Sequence, residues 1–161
     1  MSANSRMSVA VHVLTWLAFD RRGTDKEIGT SQRIATSVNT NPVVICRAFR
    51  ELREAGLVPA SRGRGGGWVL TREPDSISLR DVYLAVGGEQ VFALHAASPD
   101  AECYVGYGIQ AVLGRAYQDA EEALRCSLER TTIADVLRDT LAEFPGEVRT
   151  VGAAATLSGP G

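Results

Sequence analysis

The side chains with chemical reactivity are three cysteines and two histidines, all far apart along the chain. Cys46, Cys103 and Cys126 are an odd number of thiols with no close pair, so neither a zinc site nor a disulfide framework is predicted. His12 and His95 lie far from each other, and with the scattered acids they form no serine–histidine–acid set or paired carboxylates. The sequence therefore predicts reduced thiols, no metal site and no enzymatic activity.

Two of these thiols are candidate redox sensors. Cys46 lies between arginines on a predicted helix, so its oxidation would add bulk or charge to a basic surface. Cys103 lies near a predicted helix start, where the helix dipole lowers a thiol pKa, while Asp100 and Glu102 oppose that effect. A small thiol without any role remains the alternative for each cysteine.

Arginine is concentrated in one part of the chain. Residues 30–72 carry seven arginines against two glutamates, a difference of +5, although the formal net charge of the whole chain is −2. Residues 76–161 carry six arginines against twelve acids, a difference of −6. A basic segment joined to an acidic one is typical of a protein that places one face against phosphates. An ordinary solvated surface is the alternative explanation for the charge pattern alone.

Three helices are predicted in the first third of the chain. The first covers residues 8–20, and a short second helix begins after Thr30 or Ser31 as its cap. Residues 39–41 supply a turn, and the third helix covers residues 42–55, with a proline in its first turn. A short helix, a tight turn and a further helix are the elements of a helix-turn-helix.

When the residues of the third helix are placed 100° apart around its axis, apolar and polar side chains fall on two separate faces. Its apolar face consists of Ile45, Ala48, Phe49 and Leu52. Arginines lie on the opposite face, as expected for a helix that packs inward while its outer face enters the major groove. The predicted DNA contacts in the turn and on this helix are Thr40, Asn41, Val43, Cys46, Arg47 and Arg50.

A loop of residues 61–67 contains Arg62, Arg64 and four glycines, between possible strands at residues 57–58 and 68–70. Such a hairpin tip approaches another surface closely, and its guanidinium groups reach phosphates or the minor groove. A nucleotide phosphate cradle would lead into a helix N-terminus, whereas this loop leads into an apolar run. A flexible hairpin without function is the other alternative. We predict a wing in which Arg62 and Arg64 contact DNA.

The second half of the chain contains the longest periodic segment. Ser78 is predicted to cap a short helix, and residues 89–103 form a connection. A long helix then follows, with an apolar stripe that a small domain has little room to bury, so we predict that it pairs with a second copy. The predicted dimer interface consists of Ile109, Val112, Leu113, Ala116, Tyr117, Ala120 and Leu124. Packing within one chain is the alternative, and residues 132–135 resemble a capping box that opens a last helix.

These blocks together resemble the Rrf2 family of bacterial winged-helix regulators. The resemblance rests on residues 34–35, 52–58, 62–68, 77–82 and 132–137 in this order, within about residues 5–140. It implies a homodimer on an operator with approximate two-fold symmetry, the third helix in the major groove and Arg62 as the wing arginine in the minor groove. Val43 and Cys46 fall where relatives place a base-contacting serine or glutamate. Because neither side chain makes the same strong hydrogen bonds, the operator sequence of those relatives does not apply to this chain.

The cluster-binding members of this family resemble one another in having three cysteines close together near the start of the dimerisation helix. This chain has only Cys103 there, and Cys126 lies 23 residues further on. That separation is about 35 Å along a helix, so one iron–sulfur cluster does not use both thiols of one chain. A mixed site of Cys103 with His12 or His95 across a dimer remains a second candidate. We expect no cofactor, with an iron–sulfur cluster as the alternative.

The expected fold is mostly α with a small β-hairpin (α+β). Residues 1–88 form a winged helix-turn-helix domain, residues 89–143 a connection, dimerisation helix and final helix, and residues 144–161 a disordered tail. The expected function is transcription repression on double-stranded DNA, tuned by redox chemistry or a small molecule. A winged-helix protein-interaction module is the alternative. We expect a cytoplasmic protein, since the apolar run at residues 9–19 is too short to span a membrane.

Overall fold

A computed structural model of the chain describes residues 3–20, 30–59, 68–88 and 90–146. The described residues form six α-helices and, between α3 and α4, a short 3-10 helix at Pro74–Ser76. The helices are α1 (Ala3–Asp20), α2 (Ser31–Val38), α3 (Pro42–Glu54), α4 (Leu79–Ala85), α5 (Tyr104–Glu129) and α6 (Ile133–Ala142). The mostly helical fold class is confirmed. Among the described residues, no helix is both long and apolar enough to cross a membrane.

The small β-hairpin is not confirmed. Residues 57–58 and 68–70, predicted as its strands, are not strands in the structure, while the tip with Arg62 and Arg64 lies outside the described residues. The two flanks are nevertheless neighbours, because the Thr71 backbone N–H donates to the Leu57 carbonyl at 3.2 Å. Leu57, Val58 and Leu70 bury their side chains in the core. Core burial thus accounts for the apolar residues that had indicated strands, and the wing stays a prediction.

Side-chain caps mark the starts of α2, α3, α4 and α6. Thr30 Oγ1 accepts from the Arg33 N–H at 3.3 Å and starts α2, and Ser78 and Asp81 form a capping box at α4. Thr132 and Asp135 form the predicted capping box at α6. There the backbone N–H and hydroxyl of Thr132, with Arg138, lower the pKa of Asp135 to about 2. Caps are local signals, which is why these starts are readable from sequence.

Helix α1 begins earlier than predicted, at Ala3 rather than at residue 8. Of its first residues, Arg6 forms a 3.6 Å ion pair with Glu51 on α3, and Met7 packs against the core cluster. Tertiary contacts therefore hold a first turn that lacks the apolar periodicity used to place the helix.

One core joins the two ends of the chain. Buried side chains of α1, α2 and α3 form a single cluster that also contains Ile133 and Leu137 of α6, 0% and 3% exposed. The chain returns to α1 after the long helix, and the Ile133 N–H donates to the Ile77 carbonyl at 2.9 Å. The last helix thus completes the core of the N-terminal helices.

We predict that shortening Leu137 destabilises the whole helix-turn-helix unit. Leu137→Ala removes a side chain that is 3% exposed, so the free energy of unfolding should fall by about 2–5 kcal/mol. Leu84→Ala is the matched control, because Leu84 is 51% exposed and should cost about 1 kcal/mol or less. Urea unfolding followed by circular dichroism measures both. Equal losses in the two variants would contradict the placement of α6 in the core.

Candidate nucleic-acid interface

A tight turn joins α2 to α3. Asn39 is in the left-handed region at φ 54°, a conformation that asparagine tolerates well. The Thr40 N–H donates back to the Ala35 carbonyl at 2.9 Å. Asn41 then starts α3, since its Oδ1 accepts from the Val43 N–H at 2.8 Å. Two polar residues thus end one helix and begin the next within three positions, as a helix-turn-helix requires.

The inner face of α3 is anchored as predicted. Its four apolar side chains are at most 5% exposed: Ile45, Ala48, Phe49 and Leu52. The Phe49 ring also stacks on Trp68, with 4.3 Å between ring centroids and 14° between planes. Trp68 is the first described residue after the predicted wing, and the stack holds it against the buried face of α3.

The outer face of α3 is open to solvent. Val43 is 66% exposed, and Cys46, Arg47 and Arg50 are exposed on the same helix. Arg50 Nε lies 4.0 Å from Glu54 Oε1, and both side chains are more than half exposed, so this ion pair is weak. The structure therefore brings four of the predicted contact residues together on one surface, the α3 outer face: Val43, Cys46, Arg47 and Arg50.

The other predicted contacts have different positions. Asn41 is exposed, but its Oδ1 is occupied as the cap of α3, and Thr40 is half-buried in the turn. Arg62 and Arg64 lie outside the described residues. The turn residues Thr40 and Asn41 therefore orient α3, and their contact with DNA stays a prediction.

An acid beside this surface is partly neutralised. Glu51 follows Arg47 by one helical turn, and its side chain is 15% exposed and paired at 3.6 Å with Arg6 of α1. Because the acid is held by a cation from another helix, it does not cancel the charge of Arg47. Sequence reasoning missed Arg6, which lies outside the arginine-rich segment.

The predicted dimer stripe lies on the open side of α5. Val112 is 54% exposed, Ala116 and Ala120 are exposed, and the remaining members are half-buried. Tyr117 differs from the others, because its ring stacks on Phe92 of the connection at 5.2 Å. Within the described residues, three of the seven stripe residues are exposed and the other four are partly covered by their own chain.

One residue of α5 has a positioning role that sequence reasoning missed. Glu121 is 7% exposed, and its carboxylate accepts from the Val91 N–H at 2.5 Å. It also accepts from the Tyr83 hydroxyl at 3.5 Å. This carboxylate therefore joins α5 both to the connection and to α4. No sequence pattern marks this residue, because its helix neighbours are both apolar, as Leu124, and polar, as Gln118 and Arg125.

The three thiols are all free and exposed. Cys46 is on the α3 outer face, whereas Cys103 is the N-cap residue of α5. The backbone N–H groups of Gly106 and Val105 lower the pKa of the Cys103 thiol. Cys126 lies near the other end of α5, where its Sγ donates to Glu122 Oε1 at 3.6 Å. The structure does not bring the cysteines together.

Comparison with known proteins assigns this architecture. The model of the Rrf2 family, described as iron-dependent transcriptional regulators, matches residues 3–139. The chain belongs to the Rrf2 family. The predicted family is therefore confirmed, and the match includes the helix-turn-helix, α5 and most of α6.

Individual relatives agree with the Rrf2 assignment. The HTH-type transcriptional regulator YwnA of Bacillus subtilis is 37% identical over 135 residues, which are 83% of this chain and 96% of YwnA. One solved crystal structure, of a DNA binding protein, has 32% sequence identity to this chain and a TM-score of 0.64. The match covers 82% of this chain and 98% of that one. CymR, the global cysteine regulator of B. subtilis, shares the fold at 23% identity and a TM-score of 0.59, over 86% of this chain and 96% of CymR. The relatives regulate transcription and are not enzymes, so the prediction of a regulator is confirmed.

The iron dependence of the Rrf2 family raises the question of a metal or cluster site. Across residues 3–20, 30–59, 68–88 and 90–146, no group of three or more histidine, cysteine, aspartate or glutamate side chains is arranged to hold a metal ion. Cys103 and Cys126 lie near opposite ends of α5. The described residues of one chain therefore do not fit an iron–sulfur cluster.

We predict that Cys103 is the more reactive thiol of α5. Its lowered pKa increases the thiolate fraction near neutral pH, and the thiolate is the species that reacts with iodoacetamide. Cys103 should therefore be alkylated several times faster than Cys126 at pH 7, as measured by mass spectrometry of the two peptides after short exposures. Denatured protein provides the control, in which the two rates should converge. Equal rates in the folded protein would show that the start of α5 does not activate the thiol.

Proposed function

We propose that this Rrf2 protein represses transcription as a homodimer that binds a two-fold symmetric DNA operator through α3 and the wing. The observation that carries the proposal is the α3 outer face, where Arg47 and Arg50 are exposed directly opposite a buried apolar face. An α-helix fits the major groove of B-DNA when one face packs inward and the other is free to enter the groove.

Electrostatics supports contact of this surface with phosphates. Arg47 and Arg50 are exposed, Glu51 is paired with Arg6, and the Arg50–Glu54 pair is long and solvated. A phosphate can replace such a weak partner at little cost, and each phosphate contact releases counterions. Both arginines are therefore available for the DNA backbone or for guanine edges.

The exposed Val43 gives the same surface an apolar element. It is 66% exposed near the start of α3, where recognition helices contact base edges. An apolar side chain in the major groove contacts the methyl group of thymine. We therefore expect thymine in the operator position that faces Val43, with Arg62 of the wing in the adjacent minor groove.

The exposed members of the α5 stripe support the proposed dimerisation. Two copies that pack this stripe against each other would bury Val112, Ala116 and Ala120, which are exposed in one chain. An interface made by the same patch on both subunits has two-fold symmetry, so the two α3 helices would face equivalent half-sites. Small residues in the stripe permit a close helix approach.

The proposal includes regulation of DNA binding by oxidation of a thiol, at Cys46 or Cys103. Cys46 shares the α3 outer face with both arginines, so its oxidation would introduce charge between them. Cys103 combines exposure with a lowered pKa at the start of α5. A regulator with an iron–sulfur cluster is less favoured, because the described residues of one chain do not fit it. A protein-interaction module is distinguished by salt, because DNA affinity should fall steeply with salt whereas an apolar protein contact should not.

We predict that replacement of the two arginines lowers both DNA affinity and its salt dependence. Sites selected from a random duplex library with the full chain should be two-fold symmetric, and fluorescence anisotropy then measures their affinity between low and moderate salt. In the Arg47→Ala/Arg50→Ala variant, the slope of log K against log salt should decrease in magnitude by about 0.9 for each phosphate that the variant no longer neutralises. Arg130→Ala is the control, an exposed arginine at the end of α5. An unchanged slope in the double variant would refute the role of the α3 outer face.

We predict that a charge in the α5 stripe separates the subunits. Ala120→Glu places a carboxylate at the proposed interface, and sedimentation velocity should show monomers with weakened operator binding. Ala111→Glu is the matched control, because Ala111 is also exposed on α5 but lies on its opposite face. If Ala120→Glu remains dimeric, or if both variants dissociate equally, this stripe is not the interface.

A further inference from the structure

A half-buried ion pair joins α1 to α3 beside the α3 outer face. Arg6 Nη1 lies 3.6 Å from Glu51 Oε1, and the two side chains are 25% and 15% exposed. In the Arg50–Glu54 pair of the same helix, the atoms are 4.0 Å apart and the side chains are 61% and 66% exposed. Water screens a half-buried pair less than a solvated one, so the Arg6–Glu51 pair is the stronger of these two contacts.

Arg47 lies at the same place. A small cleft between α1 and α3 is lined by six residues, and its charged members are Arg6, Arg47 and Glu51. Its volume is about 10 Å³, room for no more than a single water molecule, so it is too small for a ligand. The cleft therefore brings one acid and two arginines close together.

Glu51 can pair with either of these two arginines. Arg47 precedes it by four positions, so both side chains lie on one face of α3. An arginine four positions before a glutamate is the weaker order for such a pair, because it opposes the helix dipole. Among the described residues, the ion pair of Glu51 is with Arg6 of α1, and Arg47 forms none. The contact between two helices therefore prevails over the pair within one helix.

We propose that Arg6 is a positioning residue for DNA binding, which keeps Arg47 available to a phosphate by holding the Glu51 carboxylate. Without Arg6, the only cation three or four positions from Glu51 on α3 is Arg47. The carboxylate then pairs with Arg47, and this pair has to break before Arg47 contacts DNA. The role of Arg6 rests on the proposed DNA-binding function, and Arg6 acts through Glu51 without touching DNA.

A double-mutant cycle tests this role in the full chain, with affinity for the selected operator measured by fluorescence anisotropy. Arg6→Met keeps the apolar stem of the side chain and removes the cation, so affinity should fall by about fivefold. Glu51→Gln alone should change affinity by less than about twofold, because Arg6 already holds this acid. In the Arg6→Met background, Glu51→Gln should raise affinity by about fivefold and restore the wild-type value.

Glu54→Gln is the matched control, because it removes the same charge from the same helix at a residue whose partner is Arg50. Its effect should be equal in the wild-type and Arg6→Met backgrounds. If Glu51→Gln also has equal effects in both backgrounds, Arg6 contributes only its charge and the proposal is wrong. If Glu51→Gln does not rescue Arg6→Met, Arg6 either contacts a phosphate itself or maintains the fold, and the proposal is again wrong.

The Arg47 side chain supplies a readout that needs no DNA. Its Nε–Hε signal in a proton–nitrogen NMR correlation spectrum is identified by its loss in Arg47→Lys. Glu51→Gln should leave this signal in place in the wild type and shift it in the Arg6→Met background, where the carboxylate pairs with Arg47. No shift in that background, or an equal shift in both, would overturn the role of Arg6. Failure of the wild-type chain to bind DNA would refute the proposed function, while this measurement still decides which arginine holds Glu51.

Discussion

The burial of one face of α3 is the constraint on which the rest of the structure depends. Ile45, Phe49 and Leu52 are at most 2% exposed, so α3 cannot rotate about its axis without opening the core. That rotation would cost several times the roughly 1 kcal/mol of a single polar contact. The arginines are therefore held outward by apolar packing, not by their own interactions. The stack of Phe49 on Trp68 extends the same anchoring to the residues beside the wing.

The long helix is tied to this core by groups on both of its sides. Beyond its C-terminus, α6 returns to α1 and places Ile133 and Leu137 among the buried side chains of the N-terminal helices. Along its length, the Glu121 carboxylate holds Val91 and Tyr83. A buried carboxylate needs such donors, because an unpaired one would be strongly unfavourable. The stripe of α5 is therefore presented in a defined orientation relative to α3, which a symmetric dimer on DNA needs.

Local signals were readable from the sequence and non-local ones were not. The caps at Thr30, Ser78 and Thr132 and the two faces of α3 were predicted, because each depends on residues within a few positions. The strands predicted at residues 57–58 and 68–70 are not confirmed, and burial in a helical core produces the same apolar runs as a strand. The contacts of Glu121 with Val91 and Tyr83 join residues far apart in sequence, so no periodic pattern predicts them.

The contacts of α2 differ in strength. Ile34 and Ala35 anchor α2 in the core, and removing such side chains costs up to several kcal/mol. The His12–Ser37 hydrogen bond and the Arg33–Trp16 contact lie near the surface, where each contributes about 1 kcal/mol. The position of α2 is therefore set by its buried side chains, and the turn at Asn39 passes that position on to α3.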